Sequence, residues 1–527
     1  MKRCLILLVF VQVYVAATAV RSRPQSTDVV IQKDLERIVS KLEAIRSHRR
    51  DTLLSDVGKC GLAMEAISNW DAFSAVQRSR LIVLLSPLVL EKDTVIERFR
   101  IHFDSSNVNG NEPTLLDSAG RRIPDSWRAY VDSVGSVFNH VWTVEIDSLG
   151  YSAPPLEPQQ NRFNVYIANL GSSLYGYTWL TTPGQPVNPG ELTPRYTIYV
   201  VIHHDFSPVY SKGIGGLKVT AAHEFHHAVQ FGSYGYRDND LFFYETTSTW
   251  MEDVVYDDVN DYYQYIRTAS GLPGGHFLYP HKSFDLTDGS LEYSRAIWGK
   301  YLEKRFSRGV MRRAWEHVRQ FRAIQALNAA LGEHGMSFRE AFTEFACWNY
   351  FTSGRADATR FYTDGGHHPF IGFRDDSLAF QSPLSVFSDN GGVKGLGTAY
   401  FRVFLDPGSL RTIVMLVSNV NLTATGGGSA APYQYVIRSS PPGDESYKLI
   451  NEGGSTYWVK VGAVGNHADW QLAHISEGAV VTSVVSELLV YPNPITLPDN
   501  HWVRFQVPHD GTANLYVFSA ELGLAGC

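Results

Sequence analysis

A His-Glu-x-x-His motif occupies residues 223–227 and limits both the folds and the chemistry that this chain can support. It lies in Val219–Phe231, a largely apolar stretch without Gly or Pro, which predicts an α-helix. Residues four apart on a helix share a face, so His223 and His227 would lie one above the other. Two imidazoles placed in this way can bind one Zn²⁺ ion, with Glu224 beside the metal as a general base. The alternative is a pair of buried, hydrogen-bonded core histidines.

A catalytic zinc site needs a third protein ligand and one open position. The metzincin pattern requires Gly at 230 and His or Asp at 233, but this chain has Gln230 and Ser233. A Glu on a second helix is the other common solution, and Glu245 follows the motif by 18 residues. Glu252 lies two helical turns further on, presents a similar face and is the alternative ligand. The spacing favours Glu245 as the third Zn²⁺ ligand.

These segments resemble the gluzincin metallopeptidases and, more closely, a family of secreted bacterial zinc metalloproteases. The pattern of that family is roughly Val-Thr-x-Ala-His-Glu-Phe-Phe-His, then Glu-x-Thr-Ala-x-Trp-Met-Glu-Asp, then Tyr-x-x-Ala-x-x-x-x-Tyr-Leu-x-x-Arg-Phe. The corresponding segments here are 219–227, 245–253 and 293–306, and the resemblance covers about residues 98–354. His226 stands where the family has an aromatic residue, and Thr246 stands where many gluzincins have Gly or Ala.

The resemblance implies a zincin-like catalytic domain and a second catalytic side chain. Tyr293 begins a Tyr-x-Arg-Ala segment that is similar to the one carrying a catalytic tyrosine in gluzincin aminopeptidases. Its phenol would donate to the oxyanion of the tetrahedral intermediate, with ordinary core packing as the alternative. His226 lies about 60° round the helix from His223, at ~100° per residue, and is expected at the periphery of the site or in solvent. The loop histidines His276 and His281 are expected to be solvated.

Hydrophobic periodicity predicts an α+β domain over residues 98–375. Alternating patterns predict strands at Phe99–Phe103, Phe163–Ile167 and Tyr196–Ile202, and the chain reads as mainly helical after Gly216. The strand Tyr196–Ile202 shortly precedes the zinc helix. We expect it to form a sheet edge that pairs with an extended substrate.

The regions before this domain read as a leader and a helical segment. Residues 1–19 have a basic start, a short apolar core and an Ala-x-Ala end, which predicts a signal peptide cleaved after Ala19. Residues 20–97 read as mostly helical. This region is either a propeptide or a subdomain that stays attached.

The C-terminal part reads as strands and turns. In residues 385–486, short strand patterns separated by Gly, Ser and Pro stretches predict an antiparallel β-sandwich with an accessory role. Residues 487–527 contain Tyr-Pro-Asn-Pro at 491–494 and resemble the sorting domains of the bacterial type IX secretion system, which implies outer-surface secretion machinery as a partner. A plain interdomain linker is the alternative. The tail is shorter than such domains, so we expect a truncated sequence or a tail that cannot function.

Composition excludes two classes of protein. The formal net charge is −7 and no basic run occurs, which argues against nucleic-acid binding. No apolar stretch approaches the ~20 residues of a transmembrane helix. After removal of the leader three cysteines remain, Cys60, Cys347 and Cys527, too few and too widely spaced for a disulfide framework.

The sequence thus predicts a secreted or cell-surface bacterial zinc endopeptidase that acts on proteins or peptides. The first alternative is an aminopeptidase, although no segment resembles the Gly-x-Met-Glu-Asn stretch that binds a substrate's amino terminus in many of those enzymes. The second is a surface adhesion or glycan-binding protein with an inactive zinc domain. An intact Glu224 speaks against this second alternative.

Overall fold

The computed structural model describes residues 70–171, 174–181, 185–237, 240–267, 274–373 and 396–404, together with short stretches near the N-terminus and isolated strands further along the chain. These residues combine many helices with a small mixed sheet. The predicted α+β class is therefore confirmed at this level.

Five strands form the sheet on which the candidate site is built. Their order is β1-β2-β3-β5-β4, with β2, β3 and β5 parallel and the outer strands β1 and β4 antiparallel to their neighbours. Every residue of β3 and β5 is buried, as expected for strands covered on both faces. The strands are β1 (Lys92–Ile96), β2 (Phe99–Phe103), β3 (Phe163–Ala168), β4 (Gly176–Leu180) and β5 (Ile198–His203).

The expectation that the strand before the zinc helix is a sheet edge is wrong. That strand, β5, lies between β3 and β4, and the edge on this side is β4. The physical reason is visible in the sequence of β5, a continuous apolar run typical of a strand buried on both faces rather than on one. The edge strand therefore comes from Gly176–Leu180, for which the sequence analysis predicted no strand.

Helices cover one face of the sheet and extend from it. The helix Trp127–Trp142 was not predicted from the sequence, and it packs with the helix Ile214–Val229 against the sheet. The longer helices are α1 (Ala75–Leu85), α2 (Trp127–Trp142), α3 (Ile214–Val229), α4 (Leu241–Val255), α5 (Ala296–Arg305), α6 (Gly309–Val318), α7 (Ala323–Gly332) and α8 (Phe338–Tyr350). Four-residue helices span Tyr263–Ile266, Gly275–Leu278 and Leu291–Ser294. None of the described helices is long and apolar enough to cross a bilayer.

The described N-terminal residues cover the other face of the sheet. Ile38, Phe73 and Leu81 pack in one cluster with Trp179 and Tyr199, which point away from α3. Residues 36–40 are helical, as predicted, whereas β1 lies in a segment predicted to be helical, so the hairpin β1–β2 spans the predicted boundary at residue 97. The N-terminal region thus contributes to the core of the sheet, on the side opposite the candidate site.

Strands dominate the C-terminal part of the described chain. Gly397–Phe404, Thr456–Val464, His467–His474, Lys448–Ile450 and Leu378–Ala379 form a five-stranded sheet. A four-stranded sheet contains Val436–Ser440, Ile413–Ser418, Leu7–Val13 and Val386–Asp389. Two-stranded pairs join Leu489–Tyr491 to Arg504–Gln506 and Val517–Phe518 to Leu524–Gly526. The β-sandwich and the sorting domain stay predictions.

The strand Leu7–Val13 lies inside the predicted signal peptide and pairs with two of these C-terminal strands. A cleaved leader could not supply this strand to the mature protein, so the signal peptide also stays a prediction. Tyr400 of the five-stranded sheet is fully buried and donates a hydrogen bond to the carbonyl of Ala346 on α8. Cys347, which follows Ala346 in α8, is buried and forms no disulfide bond among the described residues. Cys60 and Cys527 lie outside the described residues.

Candidate metal centre

Three polar side chains converge between α3 and α4. The Nε2 atoms of His223 and His227 lie 3.1 Å apart. One carboxylate oxygen of Glu245 lies 3.2 Å from the first of these nitrogens and 3.5 Å from the second. All three side chains are at most 1% exposed. The helix α3 presents its two histidines one turn apart, as the motif predicts, and α4 presents Glu245 opposite them.

The triangle formed by these atoms has the size that a metal ion requires. A tetrahedral zinc with bonds of about 2.0–2.1 Å separates its ligand atoms by about 3.3–3.4 Å. The three observed separations, 3.1, 3.2 and 3.5 Å, bracket that value. The group could therefore hold a metal ion without rearrangement of its helices.

The far nitrogen of His223 is hydrogen-bonded to the alternative ligand. Nδ1 of His223 lies 2.7 Å from Oε1 of Glu252. A carboxylate accepts but does not donate, so Nδ1 carries the proton and the lone pair of Nε2 faces Glu245. Glu252 thus contacts the ring nitrogen that faces away from the triangle. Of the two candidate carboxylates, Glu245 is the one that contacts both histidines at Nε2.

The second histidine is oriented by Gln230. Nδ1 of His227 lies 2.7 Å from Oε1 of Gln230. The amide of Gln230 is itself fixed, because its Nε2 atom donates to the backbone carbonyl of Tyr244 at 3.2 Å and to Thr247 Oγ1 at 2.9 Å. In the sequence, Gln230 is informative only because it excludes the metzincin pattern. Its position three residues after His227, one helical turn away, is the signal that could have identified this role.

The triangle is a strong site for positive charge. When both imidazoles are neutral and carry their protons on Nδ1, two nitrogen lone pairs and a carboxylate oxygen face one another, and such atoms repel unless a metal ion or a further proton lies among them. Neither oxygen of Glu245 has an aligned hydrogen-bond donor among the described residues. Burial lowers the pKa of His223, but the neighbouring Glu245 and Glu252 outweigh it and raise that pKa to about 9. Burial raises the pKa of Glu245, but His227 and His223 lower it to about 2.

The two predicted catalytic side chains lie beside this triangle. Glu224 is fully buried on the sheet side of α3, where Thr178 of β4 contacts its carboxylate at 2.7 Å. The ring of Tyr293 stacks on that of His223, with centroids 6.2 Å apart, and on Tyr265 at 5.0 Å. Tyr293 thus contacts one residue of the triangle, and Glu224 adjoins the same residue along α3.

Burial excludes a solvated position for two other histidines. His226 is fully buried rather than solvated, and its Nδ1 lies 2.7 Å from Oε2 of the buried Glu145. Burial lowers the pKa of His226 and raises that of Glu145, so the pair favours the uncharged forms of both side chains. His276 is 3% exposed and contacts Asn349, because its loop folds back against α8. The local sequence around each histidine is polar, but it does not show the tertiary packing that buries the side chain.

A second group of metal-binding residue types, His203, His204 and Asp205, lies at the end of β5 and was missed from the sequence. Three consecutive such residues after an apolar strand are the signal that could have found it. Nδ1 of His203 already accepts hydrogen bonds from the backbone amides of Asp205 and Phe206, at 3.1 and 2.9 Å. Its Nε2 atom donates to the carbonyl of Gly171. Arg122 also lies 3.4 Å from Asp205. This group is therefore a weaker candidate than the triangle.

Comparison with known proteins adds no relative. No protein-family profile matches the chain, and no curated protein is significantly similar to it.

Proposed function

We propose that this protein is a zinc-dependent endopeptidase that hydrolyses peptide bonds in protein or peptide substrates. The observation that carries the proposal is the contact of His223, His227 and Glu245 at 3.1–3.5 Å, with both outer ring nitrogens already hydrogen-bonded. Two imidazoles and one carboxylate with a position left open form the donor set of many catalytic zinc sites. A structural zinc site more often closes with cysteines, and the described residues place none here.

The neighbouring side chains have the roles that amide hydrolysis needs. Zinc bound by the three ligands would supply a Lewis acid and would acidify a coordinated water. Glu224 would accept the proton of the attacking water and pass it to the leaving amine. Tyr293, stacked beside His223, would donate its phenolic hydrogen to the developing oxyanion. A binding protein with an inactive zinc domain would have no use for Glu224 in this position.

The edge strand β4 favours an extended substrate and hence internal cleavage. In an antiparallel pair, every second residue of a strand forms backbone hydrogen bonds with the neighbouring strand. The carbonyl of Tyr175 accepts from the amide of His203, and the amide of Thr181 donates to the carbonyl of Thr197, so the odd-numbered residues of β4 face β5. The backbone groups of Gly176, Thr178 and Leu180 therefore face the other edge, with which no described strand pairs. A peptide could add there as a further strand, next to Glu224. An aminopeptidase remains the alternative, with an adhesion or glycan-binding protein as the second.

The cellular setting is part of the proposal. The leader predicted at residues 1–19 and the sorting-type tail at 487–527 favour a secreted or cell-surface protein that uses outer-surface secretion machinery. Mass spectrometry of the mature N-terminus in the producing cell would test the leader directly. A mature chain that starts near residue 20 supports it, and a chain that retains Leu7–Val13 contradicts it.

The function is tested by hydrolysis of a mixed peptide library. The wild-type protein and a Glu224→Gln variant are incubated with the library, and the zinc content of both is measured. We expect internal cleavage by the wild type only, with about one zinc in each protein, because the change removes the base and leaves the ligands intact. Zinc in both proteins without cleavage by either would favour the adhesion alternative. Release of single N-terminal residues would favour the aminopeptidase.

A further inference from the structure

The hydroxyl of Thr178 forms a close contact with the predicted general base across two elements of the fold. Thr178 Oγ1 lies 2.7 Å from Oε2 of Glu224 and 2.8 Å from the backbone carbonyl of the same residue. Both residues are buried, Thr178 at 4% and Glu224 at 0% exposure. We propose that Thr178 is a positioning residue that holds the carboxylate of Glu224 in its productive orientation. This inference rests on the proposed function and adds a residue that the motif does not contain.

The strand β4 is held unusually close to α3 at this point. A Cβ atom added at Gly176 would lie 2.7 Å from Cγ2 of Thr220 on α3 and 2.8 Å from the carbonyl oxygen of Val201. It would also lie 3.2 Å from Cγ of Glu224. Residues two apart on a strand share a face, so the glycine permits the approach that brings Thr178 against Glu224.

Thr178 is well suited to hold a carboxylate. Its β-branched side chain has few rotamers, and the residues on either side of it in β4 hold the strand to β5, so the position of the hydroxyl is set before substrate binds. A hydroxyl can donate to a carboxylate and can accept from a carboxylic acid. The same contact can therefore hold Glu224 both before and after it takes a proton from water. A base that must meet a water molecule loses rate steeply when it is displaced by about 1 Å.

Three variants test the role in turnover. Thr178→Val removes the hydroxyl at nearly constant volume, and Thr178→Ser keeps it. Thr220→Val is the matched control, since Thr220 is buried at the same interface and its hydroxyl has no hydrogen-bond partner in the described structure. We expect Thr178→Val to lower kcat by about ten- to a hundredfold with KM and zinc content unchanged. Thr178→Ser should recover most of the rate, and Thr220→Val should stay near the wild type.

A second measurement does not depend on activity or metal. Thermal unfolding of the metal-free protein is compared for Thr178→Val, Glu224→Ala and the double variant. We expect the Tm shifts of the two single changes to be non-additive, because each removes one partner of the same contact. The same cycle with Thr220→Val in place of Thr178→Val should show a smaller coupling, because the hydroxyl of Thr220 has no hydrogen-bond partner in the described structure.

The two measurements separate the possible failures. If the wild type does not cleave peptides but the Thr178–Glu224 cycle is non-additive, the proposed function fails and the contact stands. If the wild type cleaves and Thr178→Val keeps its kcat, the inference is overturned and the function stands. A loss of kcat that Thr178→Ser does not recover, or an additive cycle, also overturns it.

Discussion

Nδ1 of His223 lies 2.7 Å from a carboxylate oxygen of Glu252. The two acidic residues on α4 therefore have different partners. Glu245 faces the Nε2 atoms of His223 and His227, whereas Glu252 contacts Nδ1 of His223. The sequence left the two residues as alternative ligands. The structure gives them different positions, and their substitutions should therefore have different effects.

Glu245→Gln should weaken zinc binding more than Glu252→Gln. The first change removes an anionic ligand, whereas the second removes a partner of a ligand and should weaken affinity by about 10- to 100-fold. Zinc affinity is measured by competition with a chromophoric chelator at constant pH. Equal loss in both variants, or a larger loss in Glu252→Gln, would reverse the assignment of the third ligand.

Gln230→Leu should reduce both stability and zinc affinity. The change removes the nearer partner of the His227 Nδ1 atom, at 2.7 Å, and leaves only Ser248 Oγ at 3.1 Å, and the loss of one buried hydrogen bond costs about 0.5–1.5 kcal/mol. Urea unfolding of the metal-free variant measures the stability term, and chelator competition measures the zinc term. Thr249→Val is the control, since that buried hydroxyl on α4 has no hydrogen-bond partner among the described residues. Wild-type values for Gln230→Leu would contradict the orienting role.

Gly176→Ala should destabilise the fold by about 1–3 kcal/mol, because the new methyl group overpacks the interface between β4 and α3. The control is Gly332→Ala at the end of α7, where an added Cβ would meet nothing within 4 Å. That change should be neutral or slightly stabilising. Both are measured by urea unfolding, and a neutral result at Gly176 would mean that the strand and the helix are not held this closely.

Stability should fall in acid through His276. Burial lowers the pKa of His276 to about 3. The unfolded chain takes up the proton near pH 6.5, so the stabilisation is complete above that pH and is lost as the pH falls towards 3, by about 1.4 kcal/mol per pH unit. Unfolding by urea at pH 7 and pH 4.5, with chelator present to exclude metal loss, should show a smaller pH effect for His276→Gln than for the wild type. The exposed His334 provides the control through His334→Gln. Equal pH effects in His276→Gln and the wild type would contradict the assignment.

The parts of the site that follow from helical spacing could be predicted from the sequence. His223, Glu224 and His227 share one short helix, and Glu245 lies on the next helix of the chain, so their relation depends on local geometry. Thr178 and Glu145 could not be predicted, because each meets α3 through contacts across 46 and 81 residues of sequence.

The same limit explains the errors in the fold. The apolar run of β5 identifies a strand but does not say which neighbours it has, and β4 inserts beside it only in the folded sheet. The helix α2 was missed because its surroundings are rich in the turn and strand signals that dominate residues 98–216. Side chains such as His276, which is polar and follows two glycines in the sequence, are buried by elements far along the chain.

The central claim is a metal centre made by His223, His227 and Glu245, and zinc K-edge X-ray absorption on the purified protein tests it most directly. We predict about one zinc per chain with only nitrogen and oxygen ligands at about 2.0–2.2 Å, including scattering from two imidazoles. The signal should disappear in a Glu245→Gln variant washed with a weak chelator that leaves zinc in the wild type. A wild-type protein that retains no zinc after metal loading, or a centre with sulfur ligands, would contradict the account.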